Sequence, residues 1–400
     1  MKEYKLSEIA TIENGGTPST EVEEYWNGDI PWITPYDLSK TNSKWIKNGE
    51  RNITKAGVEG SNAKLIPTRS IMVSTRAPIG YIVMNEVVAT TNQGMKSVIP
   101  NTELVNPDYL YYLLRTKVIE MNIKAGGTTF KEISTSVFKG LKVTLPIMEE
   151  QNLVGYKLSK IDEKIELINT LICDLEEYSQ LLFHKWFVDF NFADVHDKPY
   201  KNNGGRMKFA DKDLIPHDWT TMALSESANF LNGLAMQKYP PKNDSDLLPV
   251  IKIREINNNG FNKNTEYISK TVDSNFIINN GDILFPWSGS LSVKIWTGGV
   301  GGLNQHIFKV QSDKFEQWYI FHWINYHMRY FEQIAYGKKT TMGHINRKHL
   351  ELVNVFIPDE ATLKKMNDIM GPIYAKIVSL NVENRLLAEC RDLLIKKLIK

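Results

Sequence analysis

A heptad pattern of apolar residues that occurs twice constrains this chain more than any other feature. In the first copy, apolar residues recur at alternating steps of four and three from Val154 to Trp186, with Ser179 as the one interruption. That spacing is typical of the seam of a coiled coil. Because a helix with a single apolar stripe buries it against a partner, the sequence predicts two long helices packed on each other.

The second copy follows the first at a distance of 212 residues and runs from Met366 to Leu398. The seam positions predicted to pack are Ile161, Ile165, Ile168, Ile172, Leu175 and Leu182 in the first helix and Ile373, Ile377, Leu380, Asn384, Leu387 and Leu394 in the second. Asn384 and Arg391 are polar interruptions. Gly371-Pro372 lies inside this stretch, and because proline lacks an amide donor, we expect a break or kink there.

The segments that precede the two helices are also related to each other. Leu6-Ser7-Glu8 matches Leu224-Ser225-Glu226 at an offset of 218, and Asn92-Gln93 matches Asn304-Gln305 at an offset of 212. A fixed register that runs into a shared heptad seam indicates an internal duplication. We therefore predict an α+β fold with a pseudo-two-fold, in which two similar domains are separated by two long helices that form an antiparallel coiled coil.

The predicted boundaries are residues 1–147 for the first domain, 148–190 for the first long helix, 191–218 for a linker, 219–358 for the second domain and 359–400 for the second long helix. Within these, Tyr109 to Lys124 is predicted to be one helix, and Gly298 to Gly302 a turn between strands. Asp189 to Trp219 has the composition of a flexible polar junction. The aromatic residues between Trp318 and Tyr326 are expected to be core.

Composition narrows the class of protein. The chain is 42% hydrophobic and 24% charged with a formal net charge of +2, which is the balance of an ordinary globular protein. No apolar run reaches membrane-spanning length and the start at Met1 resembles no signal peptide, so we expect a cytoplasmic protein without a membrane partner. Cys173 and Cys390 both lie in the helical stretches, so neither a disulfide framework nor a metal site is predicted.

The sequence contains none of the catalytic motifs that would indicate an enzyme of a common class. The chain lacks a Gly-x-x-x-x-Gly-Lys-Ser/Thr phosphate loop and a His-Glu-x-x-His zinc motif. It also lacks the Asn/Asp-Pro-Pro-aromatic tetrapeptide that amino-methyltransferases use. The sequence therefore predicts a chain that is not catalytic by itself.

Several short segments occur in a characteristic order. They are Ile30-Pro31-Trp32-Ile33, Ser74-Thr75-Arg76-Ala77-Pro78-Ile79-Gly80, Thr91-Asn92-Gln93-Gly94 and Gly126-Gly127-Thr128-Thr129, followed in the second half by Pro216-His217-Asp218-Trp219, Gly281-Asp282-Ile283-Leu284 and Asn304-Gln305. Together with the two heptad helices, this order resembles the specificity (S) subunit of type I restriction–modification systems. The resemblance covers essentially the whole chain.

The resemblance implies a set of functions and partners. Each half would be a target recognition domain that reads one part of a bipartite, asymmetric sequence in double-stranded DNA. The helices would dock two methyltransferase (modification) subunits, and restriction (translocase/nuclease) subunits would complete the assembly. No cofactor is expected in this chain, because S-adenosylmethionine, ATP and magnesium would belong to the partner subunits that methylate and cleave DNA.

Candidate DNA contacts lie in basic or amide-bearing loops. They are Thr34, Tyr36, Arg76, Asn92, Gln93, Thr128, Thr129 and Lys131 in the first half and Lys252, Arg254, Asn304, Gln305, Lys338, Lys339, Thr340, Thr341, His344, Asn346, Arg347 and Lys348 in the second. Lysines and hydroxyls suit phosphates, whereas arginine and side-chain amides suit base edges. The loop 338–348 has four permanent positive charges and no carboxylate, and its alternative interpretation is a solvated turn. Asn92-Gln93 and Asn304-Gln305 are repeated in both halves, which favours an alternative role in bracing a turn.

Two other classes of function remain open from the residues alone. One is a coiled-coil adaptor that binds protein without DNA specificity, which retention on heparin and loss of binding with salt would distinguish. The other is a DNA-modifying enzyme with an unrecognised site, which residual cleavage or methylation by the isolated chain would reveal.

Overall fold

The fold comprises two compact units, and the boundary between them runs through both long helices. The computed structural model describes residues 1–127, 131–194, 196–289, 291–336 and 344–399. The first unit comprises residues 1–167 and 386–400, and the second comprises residues 168–385. The first half of each long helix therefore belongs to a different unit from its second half.

The elements of the first half of the chain alternate short strands with short helices before the first long helix. The strands are β1 (Lys2–Lys5), β2 (Ala10–Asn14), β3 (Trp26–Ile33), β4 (Trp45–Ile46), β5 (Arg51–Ile53), β6 (Ile71–Ser74), β7 (Ile82–Asn85), β8 (Thr90–Thr91), β9 (Met95–Pro100) and β10 (Lys142–Leu145). The helices are α1 (Leu6–Ile9), α2 (Pro35–Ser39), α3 (Lys55–Glu59), α4 (Pro107–Thr116), α5 (Val118–Lys124), α6 (Thr135–Lys139) and α7 (Met148–Phe187), with a 3-10 turn at Glu23–Tyr25.

The second half repeats this arrangement after an added hairpin. Its strands are β11 (Met207–Ala210), β12 (Asp213–Pro216), β13 (Thr220–Ala223), β14 (Asn229–Asn232), β15 (Leu247–Ile251), β16 (Tyr267–Ser269), β17 (Ile277–Ile278), β18 (Ile283–Pro286), β19 (Lys294–Ile295), β20 (Gly301–Leu303), β21 (Ile307–Gln311) and β22 (Asn354–Ile357). Its helices are α8 (Leu224–Ser227), α9 (Ile253–Asn258), α10 (Gln317–Tyr326), α11 (Met328–Tyr336), α12 (Arg347–Leu350) and α13 (Glu360–Leu398).

The strand order confirms the internal duplication. The first unit contains sheets of order β2-β9-β6-β7-β4, β5-β3-β8 and β1-β10. The second contains β14-β21-β18-β19, β16-β15-β20-β17 and β13-β22. The registers agree as well, because Val98 lies opposite Ile12 and Ile71, and Val310 lies opposite Phe230 and Ile283. The offsets of 218 and 212 read from the sequence therefore relate residues at equivalent sheet positions.

In the first unit, the two long helices run antiparallel. Asp162 of α7 pairs with Arg391 of α13, and Leu158, one turn earlier in α7, lies in the same core cluster as Ile395 and Ile399, which come later in α13. Advancing along one helix therefore moves backwards along the other.

The second unit shows the same direction of packing. The Nδ2 atom of Asn384 donates to Oδ1 of Asn169 at 2.5 Å. Further along α7, Phe183 shares a core cluster with Met366 and Met370, which lie earlier in α13. All twelve predicted seam positions are buried or half-buried, so the heptad prediction is confirmed.

The helix does not break at Gly371-Pro372, so that part of the prediction is wrong, and the alternative of a kink stays a prediction. Helix α13 is continuous from Glu360 to Leu398 with Pro372 inside it. Met366, Met370 and Ile377 around the proline are buried, and this packing holds the helix together although one amide donor is lost.

Two other predictions are corrected by the structure. The single helix predicted from Tyr109 to Lys124 is two helices, α4 and α5, which meet at Lys117. The stretch predicted as a flexible polar junction contains the β11–β12 hairpin, and its aromatic residues Phe190 and Phe192 are buried with Trp219. Composition did not reveal this order because a few aromatic anchors suffice to dock a polar segment.

The core of each unit includes residues of the long helices. In the second unit, Phe187 of α7 packs on Trp219, Tyr319 and Trp323, with ring centroids 5.4–5.6 Å apart. Most aromatic residues of α10 are buried core as predicted, although Tyr326 is exposed. Gly298 and Gly299 lie in the connection between β19 and β20, as predicted, but Gly301 and Gly302, which were assigned to the same turn, belong to β20.

Candidate nucleic-acid interface

Arg76 lies in an exposed loop between β6 and β7, the position expected of a side chain that reaches a ligand. Its Nη2 atom is 2.9 Å from Oε2 of Glu132, and both side chains are partly exposed. The backbones of Arg76 and Glu132 form an isolated β-bridge, and Lys96 is buried nearby. Burial lowers the pKa of Lys96, which Glu132 opposes. The loop thus presents a guanidinium that is oriented by an ion pair while it stays accessible to solvent.

Asn92 and Asn304 brace equivalent turns, which confirms the alternative interpretation of these residues. Oδ1 of Asn92 accepts from the Gly94 amide at 3.0 Å, and Oδ1 of Asn304 accepts from the His306 amide at 3.3 Å. These turns approach Gly15 and Gly233 so closely that an added Cβ would lie 1.8 and 2.2 Å from the Asn92 and Asn304 carbonyl oxygens. Packing therefore explains why glycine recurs at Gly15 and Gly233 opposite these two asparagines.

The neighbouring glutamines have different surroundings in the two halves. Gln93 is exposed and accepts a hydrogen bond from the Thr17 hydroxyl. Gln305 is half-buried, and its Nε2 atom lies 3.2 Å from Nε2 of His306. Their role in DNA binding stays a prediction.

Thr34 and Lys252 occupy equivalent positions before α2 and α9. The Thr34 hydroxyl and amide both donate to the buried Asp37 carboxylate, at 2.6 and 2.8 Å. In the second half, the amide of Lys252 donates to the fully buried Glu255 at 3.2 Å. Acidic residues three positions into each helix thus close the helix start. The sequence reading missed these carboxylates, although their repetition at an offset of 218 was a usable signal.

The side chains at these two helix starts are already engaged within the chain. Tyr36 is exposed, with the Lys40 ammonium 3.9 Å from its ring centroid. Nζ of Lys252 donates to Glu266 at 2.5 Å, and Arg254 donates to Glu255 at 2.7 Å and to the Asn264 carbonyl at 2.8 Å. Lys252 and Arg254 would have to exchange these partners for a phosphate or a base.

The loops that carry the remaining candidate DNA contacts, one in each half of the chain, are described only in part. Thr128, Thr129, Lys338, Lys339, Thr340 and Thr341 lie outside the described residues. Lys131 and Lys348 are exposed, and His344 is half-buried. Arg347 is exposed as well, and its Nη2 atom donates to the Phe230 carbonyl at 2.8 Å. Asn346 precedes α12, and its amide donates to His349 at 3.2 Å.

An aromatic group in the second unit was not found from the sequence. The Trp287 ring has its centroid 5.4 Å from that of His306, 6.3 Å from Phe308 and 6.2 Å from His344. With Asn232 and the start of α12, Trp287 and Phe308 line a cavity of about 470 Å³. Comparison of the two halves at an offset of 212 would have shown these aromatic replacements.

The described residues offer no metal site. In the ranges that the structure describes, no group of three or more His, Cys, Asp and Glu side chains could hold a metal ion. No helix among the described residues is long and apolar enough to cross a membrane. In each unit, the described loops present arginine, lysine, amide or aromatic side chains, which are residue types that suit binding to nucleic acid.

Comparison with known proteins gives one consistent result. The family described as the type I restriction modification DNA specificity domain matches residues 1–177 and 216–388. A type I restriction enzyme specificity subunit from Methanocaldococcus jannaschii, named MjaIX, is 29% identical over 406 residues, covering 99% of this chain and 91% of the relative. The EcoR124I/EcoR124II specificity subunit of Escherichia coli is 34% identical over 165 residues, covering 39% of this chain and 40% of the relative.

A solved structure has the same fold. The crystal structure of the type I restriction–modification S subunit from M. genitalium aligns with a TM-score of 0.63 at 15% identity, over 100% of this chain and 96% of that chain. Two similar α+β domains and two long helices are thus an arrangement found in a solved structure as well as in this chain.

Proposed function

This chain belongs to the type I restriction modification DNA specificity family, and on that premise we propose that its two domains recognise a bipartite, asymmetric sequence in double-stranded DNA. The two domains share a fold but differ in their loop side chains. It is a DNA specificity subunit with a non-catalytic role. Neither a DNA-independent adaptor nor a DNA-modifying enzyme is supported by its relatives.

One observation carries the proposal of an asymmetric site. The two domains share strand order and register, yet equivalent loop positions carry different side chains. Arg76 pairs with Glu132 in the first unit, and the equivalent backbone bridge in the second unit joins Ser288 and His344. Since base pairs are distinguished by the donors, acceptors and methyl groups that they expose, unlike side chains on one frame favour unlike half-sites.

We further propose that the long helices dock two methyltransferase subunits, with restriction subunits joining the complete assembly. In the first unit, Tyr156 and Leu167 of α7 and Leu393 of α13 expose 62%, 70% and 66% of their surface. Large apolar side chains that helices leave in solvent favour a protein partner. S-adenosylmethionine, ATP and magnesium would be bound by those partner subunits, which would supply methylation and ATP-dependent cleavage.

Reconstitution tests the proposed function directly. The purified chain should neither methylate nor cleave DNA, and it should direct methylation to one split sequence after its methyltransferase partner and S-adenosylmethionine are added. Methylome sequencing of a host with and without the chain would display that sequence and its two unlike halves. Sequence-specific methylation by the isolated chain, or a continuous palindromic target, would contradict the proposal.

The proposed docking face has its own test. Replacing Tyr156 and Leu167 by serine should reduce copurification of the methyltransferase. The matched control replaces Ile119 and Ile123 of α5, which are 75% and 78% exposed, by serine. Equal loss of partner with both double variants would show that α7 is not the docking face.

A further inference from the structure

The two units share one backbone frame at the loop that carries Arg76. In the first unit, the Ile133 amide donates to the Thr75 carbonyl at 2.9 Å, and the Thr75 amide donates to the Gly94 carbonyl at 2.9 Å. In the second unit, the equivalent bonds run from Ile345 to Trp287 at 3.0 Å and from Trp287 to His306 at 3.2 Å. Side chains at equivalent positions are therefore presented by the same local frame.

The chemistry on that frame differs sharply between the units. The first unit carries charges, with the Arg76–Glu132 ion pair and the buried Lys96 ammonium, whose Nζ donates to Asn14 at 3.2 Å. In the second unit, the positions of Thr75, Gly94, Lys96 and Glu132 are taken by an aromatic group, which consists of Trp287, His306, Phe308 and His344. A polar reading surface has thus been exchanged for an apolar one.

The aromatic group borders a cavity that a ligand could enter. Its volume is about 470 Å³, and Trp287 and Phe308 form its apolar wall. Trp287 is half-buried, and its indole Nε1 is buried with no acceptor among the residues that the structure describes. Exposed Arg347 and Lys348 lie on the lining beside this wall. An apolar surface framed by cations is complementary to a base edge that is flanked by phosphates.

One base edge fits this chemistry. In the major groove, thymine presents a methyl group beside its O4 acceptor. Thymine is the base that exposes an apolar group in this groove. Guanine presents two acceptors, which suit an arginine such as Arg76. We infer that the cavity beside Trp287 receives the 5-methyl edge of a thymine in the second half-site. This inference rests on the proposed function.

Chemically altered DNA tests the inference on the intact protein. Once the target is known, each thymine of the second half-site is replaced by uracil in a duplex oligonucleotide, which removes only the methyl group. Binding of the chain with its methyltransferase partner should weaken about fourfold at one position, as expected for one buried methyl group. Trp287→Ala should bring the thymine and uracil duplexes to equal affinity. It should leave any thymine preference in the first half-site unchanged.

Each outcome has a distinct meaning. Specific binding that no uracil replacement in the second half-site weakens would overturn the inference and leave the proposed function standing. A Trp287→Ala protein that still discriminates thymine from uracil would also overturn it. If Trp287→Ala fails to fold, Trp287→Phe, which keeps a smaller ring in the core, should reduce the discrimination. If the wild-type complex shows no sequence-specific binding, the proposed function itself is contradicted.

Discussion

Arg391 donates from Nη1 to Oδ1 of Asp162 at 2.7 Å, joining the two long helices inside the first unit. Both side chains are largely buried, at 13% and 5% exposure. The Tyr112 hydroxyl also donates to Asp162. Burial acts to lower the pKa of Arg391, but the carboxylates of Asp162 and Asp392 outweigh it, so the pKa lies above its ordinary value. Arg391, a polar interruption of the heptad seam, therefore forms a buried polar cluster with Asp162 and Tyr112.

Removing Arg391 alone should be costly. Arg391→Leu leaves the Asp162 carboxylate buried without its cation, and the free energy of unfolding should fall by about 3–5 kcal/mol in urea denaturation. Replacing both residues by leucine should cost less, because no charge is left unpaired. Lys160→Ala, which breaks an exposed pair with Glu163, is the control and should leave the free energy of unfolding almost unchanged. A loss for Arg391→Leu no larger than the control would contradict the role of the cluster.

A fragment ending at Phe192 should form a homodimer. It keeps the first domain and all of α7 but loses α13, so Ile165, Ile168 and Ile172 would be exposed. The nearest substitute is α7 of a second fragment, packed about a true two-fold. With partner methyltransferase, the dimer should modify an inverted repeat of the first half-site. Sedimentation that shows a folded monomer at micromolar concentration would contradict this, and Ile165→Asp with Ile172→Asp should abolish the dimer.

The polar cluster sharpens this prediction. Ser179 stands 212 residues before Arg391, so in the homodimer a serine would face each Asp162. Ser179→Arg should therefore tighten the fragment dimer, by roughly tenfold or more in dissociation constant, because it restores a cation to two buried carboxylates. Sedimentation equilibrium over a range of concentrations measures this, and Tyr178→Arg on the exposed face is the matched control. A tighter dimer with both variants would indicate a general charge effect.

Three lysines of the second half should contribute binding that is independent of sequence. Changing Lys338, Lys339 and Lys348 to alanine should weaken binding to every duplex and flatten its salt dependence by about one unit of slope per lost phosphate contact. The control changes three exposed lysines of α13, Lys364, Lys365 and Lys376, to alanine. If the salt dependence of binding is unchanged in the first triple variant, these lysines do not contact the DNA phosphates.

Arg76 should contribute specificity. Arg76→Ala should cost on the order of 1–3 kcal/mol of binding to the cognate duplex and relax the preference at one base position of the first half-site. Arg115→Ala, which breaks a partly exposed pair with Asp392, should leave base preference unchanged. Binding selections with randomised half-sites measure both. A uniform loss over all sequences would make Arg76 a phosphate contact.

Acid should destabilise the second unit through His322. Burial lowers the pKa of His322 to about 4, below the ordinary value of 6.5. Above pH 6.5 the histidine is neutral in both the folded and the unfolded state. Between pH 6.5 and 4 only the unfolded chain takes up the proton, so the free energy of unfolding decreases as the pH drops, by roughly 3 kcal/mol in total. His322→Phe keeps a ring against Phe183 and should flatten this decline in pH-dependent denaturation. An unchanged decline would assign it to other groups.

The architecture could be predicted from the sequence because its signals are local and periodic. A heptad stripe specifies which face of a helix is buried, and residues such as Ile165 and Leu380 lie where the stripe puts them. The duplication was visible because 212 residues separate equivalent positions in a fixed register. Glycine and asparagine at Gly15 and Asn92 recur for the same reason, since a tight turn needs both in each half.

Only the tertiary structure decided which polar residues are available to a ligand. Lys252 and Arg254 are residue types that commonly contact DNA, yet they already pair with Glu266 and Glu255 within the chain. Partners distant in sequence determine such pairing, and no local pattern encodes it. Pro372 shows the same limit, because core packing of α13 overrides a strong local breaking signal. The aromatic group at Trp287 likewise forms where three segments that are distant in sequence meet, and the sequence does not show that these rings contact one another.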